Sequence, residues 1–282
     1  MAISRAQLVK ELEPGLNALF GLEYKQYVNE AAEIFETENS DRAFEEEVML
    51  AGFANATVKP EGQGISYDSA QETFTARYTN ETIALAFAIT EEAIEDNLYD
   101  RLASRYTKAL ARSMANTKQV KGAAVLNNAF STSYVGGDGK ALCATDHPTL
   151  AGTFSNELAT AADLNETKIA ARGTKLVIPS ALQFTAERLM KSKGRTGTAD
   201  NDINAINNMG AIPEGYVVNH YLTDTSKWWI KTDVPNGLKH FMRAPLKTSM
   251  EGDFDTGNVR YKARERYVFG FSDPRGIFGS DI

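Results

Sequence analysis

Hydrophobic and polar positions alternate most cleanly near the end of the chain. From Val259 to Phe271, the residues Val259, Tyr261, Ala263, Tyr267, Phe269 and Phe271 share one face, interrupted by Glu265, while Arg260, Lys262, Arg264 and Arg266 line the other. A two-residue period predicts a strand, here with one core side and one basic side. A different period governs the middle of the chain. Ile94, Leu98, Leu102, Tyr106, Leu110 and Met114 recur every four residues, with Tyr99 and Ala103 widening the stripe and no proline interrupting it. This predicts one long helix, about Glu91 to Phe130, with Thr90 as its N-cap. Glu91, Glu92, Glu95 and Asp96 crowd its start, and Arg101, Arg105, Lys108, Arg112, Lys118 and Lys121 follow, which matches the sign of the helix macrodipole. At ~1.5 Å per residue such a helix spans about 60 Å, against a diameter of about 50 Å for a compact globule of this size. The helix is expected to protrude and to be covered by neighbours.

Elsewhere the pattern is weaker. Residues 1 to 50 read as a mostly helical arm with one sparse stripe, Leu8, Leu12, Leu16, Leu19 and Phe20, either frayed or docked on another surface. The loop chemistry from Val58 to Gly64 leads through Tyr67 into an alternating segment with Phe74, Ala76 and Tyr78 opposite Thr73, Thr75 and Arg77. This predicts an extended hairpin or flap, which needs a surface to lie on because a lone two-stranded ribbon is marginal in water. From Leu164 a compact α+β unit is predicted: a short helix ending at Gly173, a strand Leu176 to Ile178, and a helix opened by Ser180 with Gln183 at capping-box spacing and closed by Gly194. That helix is expected to bury Leu182, Ala186, Leu189 and Met190. A polar loop through Asn208 follows, then strands at Tyr216 to Val218 and Trp228 to Ile230, and a Pro235-Asn-Gly237 turn before Leu238 to Phe241.

Charge changes the picture in one respect. Of the net −7 carried by 282 residues, all of it sits in residues 1 to 50, with 11 acidic and 4 basic side chains, while the remainder holds 26 of each. A neutral body argues against wholesale nucleic-acid binding, and the basic face of 260 to 266 finds its simplest partner in the acidic arm. No apolar run approaches the ~20 residues needed to span a bilayer. No basic start with an apolar core marks a secretory signal, and the single cysteine, Cys143, reads as a small buried hydrophobe.

Catalytic chemistry finds little support. Phosphate-loop, nucleophile-elbow and dinucleotide motifs are missing. His147, His220 and His240 lack metal-ligand spacing. Asp200, Asp202 and Asn204 mimic a calcium loop, but Ala205 and Ala211 stand where its glycine and glutamate belong. Asp253 and Asp255 read as a solvated turn. The chain is expected to be no enzyme and to need no metal or cofactor.

Four segments carry a resemblance: Phe87-Ala-Ile-Thr-Glu-Glu-Ala-Ile-Glu-Asp-Asn-Leu98 entering the long helix, Asp138-Gly-Lys-Ala-Leu-Cys-Ala-Thr-Asp-His147 after it, Leu176-Val-Ile-Pro-Ser-Ala-Leu182, and the ending Tyr267-Val-Phe-Gly-Phe-Ser-Asp-Pro-Arg-Gly276. In that order the chain resembles the major capsid proteins of tailed bacteriophages with the Hong Kong 97-type fold, in the branch of Mu-like major head subunits. The resemblance implies an α+β fold with an N-terminal arm at 1–54, an extended E-loop at 55–86, a peripheral domain with its spine helix at 87–150, an axial domain at 151–240, and a peripheral strand with a C-terminal return at 241–282.

It also implies a role: a structural protein whose copies form the pentamers and hexamers of an icosahedral virion shell around double-stranded DNA, without specific binding to it. Scaffolding and portal proteins, and in some relatives a cement protein, are the further partners, with assembly in the host cytoplasm. Candidate inter-subunit contacts are Glu45, Glu46 and Glu47 of the arm, Lys59, Glu61, Tyr67 and Arg77 of the flap, and Arg260, Lys262, Arg264 and Arg266 of the last strand. Some relatives weld subunits through a lysine–asparagine bond, but Lys59 alone is no ground for expecting one. Two rivals remain: a nanocompartment shell of the same fold holding an enzyme, and a soluble α+β enzyme.

Overall fold

The computed structural model describes residues 5–50, 56–67, 72–90, 92–93, 99–149, 152–156, 171–194, 203–253 and 257–280. Ile94 and Leu98 of the stripe, most of the helix expected before Gly173, and Asp200, Asp202 and Asp255 lie outside the described residues.

The main sheet runs in the order β1 (Glu36–Asn39), β10 (Leu238–Gly252), β11 (Val259–Phe271) and β4 (Glu81–Ile89). β1 lies parallel to β10, and the other pairs are antiparallel. As the alternation requires, Val259, Tyr261, Ala263 and Tyr267 of β11 are buried and Arg260, Lys262 and Arg264 exposed. Against the buried side lies the long helix α2, described as Tyr99–Asn127. Thr90 meets its expectation in part, since the Ala93 N–H reaches the Thr90 hydroxyl at 3.4 Å. The described helix has 29 residues, which is about 44 Å at ~1.5 Å each. Over that length it need not overhang a body of about 50 Å.

The four-residue stripe misplaces part of the helix's buried face. Four residues turn a helix by roughly 40° more than one full turn, so a strict repeat walks off the core. Leu110 and Met114 are buried, but Tyr106 is half exposed at the rim, tilted against Phe87. The true seam continues through Ala103, Ala111, Ala115, Lys118, Ala123 and Leu126. Lys118 sits within it because Glu265, the residue that interrupts the apolar face of β11, is buried opposite at 3.5 Å. Burial pushes the Glu265 carboxyl above the ordinary carboxylate range, and Lys118 opposes that shift without cancelling it.

Over its described residues the arm is docked and only partly helical. Helix α1 (Arg5–Gln26) docks Leu16 and Phe20 against Leu110, Met114 and Tyr261, and Asn17 accepts hydrogen bonds from Tyr261 and Thr248. Beyond it the acidic stretch becomes strand. β2 (Phe44–Leu50) pairs antiparallel with β3 (Glu72–Thr79), so the flap is a ribbon that starts at Phe44, inside the segment assigned to the arm. β4, whose residues 81–86 fall in the segment expected as flap and 87–89 in the expected peripheral domain, pairs with β11 in the main sheet. The ribbon's root lies on the sheet face opposite α2, where Ala76 and Tyr78 cluster with Phe241 and Val268.

After α2 comes a short antiparallel pair, β5 (His147–Pro148) and β6 (Thr153–Phe154), and then the second sheet, in the order β12 (Ile277–Ser280), β9 (Trp228–Thr232), β7 (Gly173–Ile178) and β8 (Tyr216–Val218). One cluster, including Leu126, Leu142, Val177, Trp229 and Ile277, fuses it to the end of α2. The capping box does not form. Ser180 opens a short 3-10 turn, and α3 (Gln183–Lys191) begins after it with no side-chain cap at Leu182. Of the expected apolar face only Ala186 is buried, and the helix ends before Gly194. Asn204, read as loop, caps the one-turn helix α4 (Ala205–Met209) by accepting from the Ile206 N–H.

Two of the segments that carried the resemblance, 138–147 and 267–276, meet through Asn156. Asn156 donates to the carbonyls of Leu142, Pro274 and Ile277, Asp138 pairs with buried His147 at 2.6 Å, and Asp273 forks onto the Arg275 guanidinium. Gly237 and Gly276 touch backbone to backbone, where a Cβ on Gly276 would stand 2.4 Å from the Gly237 Cα. Gly276→Ala is therefore expected to cost ~1–3 kcal/mol through overpacking, measured by urea unfolding; an unchanged midpoint would contradict this contact.

Candidate assembly interface

Among the described residues no group of histidine, cysteine and acidic side chains is placed to hold a metal. The histidines occupy three separate settings. His147 pairs with Asp138, His220 with Glu30 at 2.7 Å, and His240 with the Thr37 hydroxyl at 3.1 Å. Cys143 is buried in the core beside Leu142. What the fold presents instead is surface, and it falls into three regions.

The first is the face of the main sheet opposite α2. The even-numbered residues of β11 share it, so the basic row at 260, 262, 264 and 266 continues into Val268 and Gly270, where the ribbon root covers the sheet. Gly270 is required there, since a Cβ would meet the Tyr78 ring at 2.5 Å. Farther along, the row stands open. Arg260 pairs with Asp253, Arg266 is partly buried with an unpartnered Nε, and Lys262 and Arg264 are exposed without an ion pair among the described residues. Arg264 stands directly across from Lys247, a like-charge neighbour that weakens the isolated sheet.

The acids expected to meet this row are engaged within their own subunit. Glu45 accepts from the Ser40 hydroxyl at 2.8 Å and from the N–H groups of Asp41 and Arg42. The Ser40 bond, more than the others, holds its carboxyl below the ordinary range. Glu46 faces Arg77 across the ribbon at 3.8 Å, and Arg77 in turn lies over the Phe44 ring. Glu47 accepts from Ser272, which also bonds Tyr78, and lies 3.8 Å from Lys239. Of the three, only Glu46 keeps half its side chain in solvent.

Lys239 is the residue that sequence reasoning missed. Only 2% exposed, it binds Glu36 at 3.1 Å, Glu38 and Glu47, so one cation ties the strand β1 and the ribbon root to β10. Burial works against its charge, but the bonds to Glu38 and Glu36 outweigh it, and the ammonium is held more firmly than usual. The available signal was Glu36-x-Glu38, two acids at strand spacing in a segment without apolar alternation. Other arm acids are neutralised similarly, Glu23 by Arg112 and Glu33 by Lys175.

The second region is the ribbon tip. Residues 56–67 are exposed throughout, including Val58, Ile65 and Tyr67, the last 97% exposed, with Lys59 and Glu61 beside them. The third is the outer side of α3 and α4, where Phe184 and Met209 stand 86% and 79% exposed. Between the ribbon root and the end of α2 lies a cavity of about 600 Å³ bordered by Tyr78, Lys121, Val125, Tyr134 and Phe271.

The fold has counterparts in known shells. A virus-like particle from Pyrococcus furiosus aligns with a TM-score of 0.56 and 11% identity over 95% of this chain and 98% of that one. The procapsid of bacteriophage JBD30 gives 0.53 and 16% over 99% and 76%, and the capsid of an empty GTA particle 0.51 and 13% over 89% of each. No curated protein matches the sequence significantly. The family described as phage capsid protein matches residues 72–279. That match runs from the ribbon's returning strand through the spine helix and both sheets to the last strand, and so the chain, with its Hong Kong 97-type fold, belongs to the phage capsid protein family.

Proposed function

We propose that this capsid protein is the major head subunit, and that its copies form the pentamers and hexamers of an icosahedral shell around double-stranded DNA. The observation that carries the reading is the ribbon tip, whose apolar side chains at 58, 65 and 67 find no core in their own subunit. Repeating one contact around closed symmetry covers such surface in every copy but leaves it bare in a monomer. The tip acts as an E-loop over the adjacent subunit, and the second sheet with α3 and α4 serves as the axial domain that meets its equivalents at capsomer centres. Scaffolding and portal proteins, and assembly in a host cytoplasm, belong to the same reading.

The open basic row contributes a polar contact. Its partner is an acidic surface of a neighbouring copy, to which Glu46 can contribute while Glu45 and Glu47 stay at the ribbon root. Reversing Lys262 and Arg264 to glutamate is expected to lower assembly yield several-fold at low salt, with the loss shrinking at high salt as the charges are screened. Equal yields for both proteins at every salt concentration would remove the contact. A shell of the same fold that holds an enzyme is the second and weaker reading, since the fold is shared with a virus-like particle as well as with phage capsids. Nucleic acid as against protein inside purified particles separates the two.

A further inference from the structure

The main sheet has a bare edge. β4 pairs with β11 on one side, and on the other with no strand among the described residues. Soluble proteins blunt such edges with lysine, proline, bulges or a covering element, because unpaired N–H and C=O groups invite another chain. β4 has none of the first three. Its nine residues, Glu-Thr-Ile-Ala-Leu-Ala-Phe-Ala-Ile from 81 to 89, contain no lysine or proline and keep an unbroken register with β11. Nor does a described element cover it: Thr82, Ala84, Leu85, Ala86 and Ala88 are exposed, Leu85 at 47%. The helix anchors the other side chains of the strand, Ile83 and Phe87 among them, so the edge is presented rigidly.

The same chain also holds a segment suited to that edge. Gly64-Ile-Ser-Tyr67 in the ribbon tip belongs to no strand, and its apolar residues alternate around Ser66, with Ile65 70% and Tyr67 97% exposed. The Thr57 and Ser66 hydroxyls lie 3.1 Å apart, which holds the two legs of the tip together. Within one subunit the tip and the edge are both exposed, so they are not each other's partners there. In a shell every copy brings both.

We propose that residues 64–67 of one copy add as a strand to the β4 edge of a second copy. Strand addition takes its affinity from main-chain hydrogen bonds and its selectivity from alternate side chains. Here Ile65 and Tyr67 supply the side chains on the face that Leu85 shares with Ile83 and Phe87, and Ala84, Ala86 and Ala88 keep the opposite face of the edge flat. The contact is heterologous, tip to edge, so each copy gives one and receives one, which a closed ring of subunits satisfies without remainder. The inference rests on the shell reading above and adds the register element that the tip engages.

The test compares amide exchange of residues 81–89 in unassembled subunits and in purified shells, together with a disulfide trap. Expected is a slowing of roughly tenfold or more on assembly, and covalent chains of subunits from shells carrying Leu85→Cys with Ile65→Cys under oxidation. Neither single cysteine variant should link, because Cys143 is buried. Shells whose β4 amides exchange as fast as those of free subunits would overturn the inference while leaving the shell reading intact. Protected amides without cross-linking would show that another segment covers the edge, and would equally overturn it. Failure to form shells at all would remove both readings.

Discussion

Replacing Lys239 with methionine is expected to destabilise the subunit by about 3 kcal/mol and to free the ribbon root. Breaking a buried ion pair by removing one partner typically costs 3–5 kcal/mol, and the lower end applies because Glu36 and Glu38 keep about half of their side chains in solvent. The loss is directional. Without the ammonium, Glu36, Glu38 and Glu47 face one another, and Glu47 is the group that holds Ser272 and, through it, Tyr78. Repulsion therefore acts first on the joint between β2, β3 and the sheet. Urea unfolding measures the stability, and amide exchange in 44–50 and 72–79 measures the root. Adding Glu38→Gln and Glu47→Gln to Lys239→Met should recover part of the loss. A single variant with unchanged stability and unchanged ribbon exchange would show that the cluster holds nothing.

Acid should act through His240, which lies under α2. Burial, and then the nearby Lys118 charge, lower its pKa to about 4 from the ordinary 6.5. Between those values the unfolded chain binds a proton that the folded chain refuses, so stability falls as pH falls, by ~1.4 kcal/mol per unit and about 3 kcal/mol in all. Glu265 has the opposite sign. Its raised pKa means that the folded chain takes up a proton first on acidification, which offsets part of the His240 loss. The other groups facing this seam are Lys118 from α2, Tyr24 from α1, Tyr267 from β11 and Glu81 from β4. His240→Phe keeps the stacking on Phe269, whose ring centroid lies 4.3 Å away, and removes the proton. From pH 7 to pH 4 the variant is expected to lose about 3 kcal/mol less than the parent in urea unfolding. Equal losses would place the acid sensitivity elsewhere.

The parts of the fold legible in the sequence are those whose pattern is local. β11 alternates over thirteen residues, and β8, β9 and the turn at Asn236, with its φ of +60°, follow from short apolar runs and turn chemistry. The long helix was legible as a helix, but its buried face was not, because alanines and Lys118 fill it where the stripe pointed to Tyr106. β1 and β2 were hidden for a different reason. Acid-rich segments such as Glu36-Thr-Glu-Asn39 have no apolar face to signal a strand, and become one only where Lys239 and Arg77, distant in sequence, neutralise them. The charge imbalance of the arm was real, yet its resolution within the subunit depended on tertiary contacts that counting could not supply. Glu265 looked like a flaw in an apolar face until the fold placed Lys118 against it.

The central claim is that the exposed ribbon and sheet edge are covered by further copies of the same chain. Electron microscopy of the purified protein, with mass measured by light scattering on the same sample, tests it most directly. Closed shells of uniform size, with the ribbon of each subunit resting on its neighbour, are the outcome expected. A monodisperse monomer or small oligomer that stays folded and soluble across protein and salt concentrations, with residues 56–67 still bare, would contradict it.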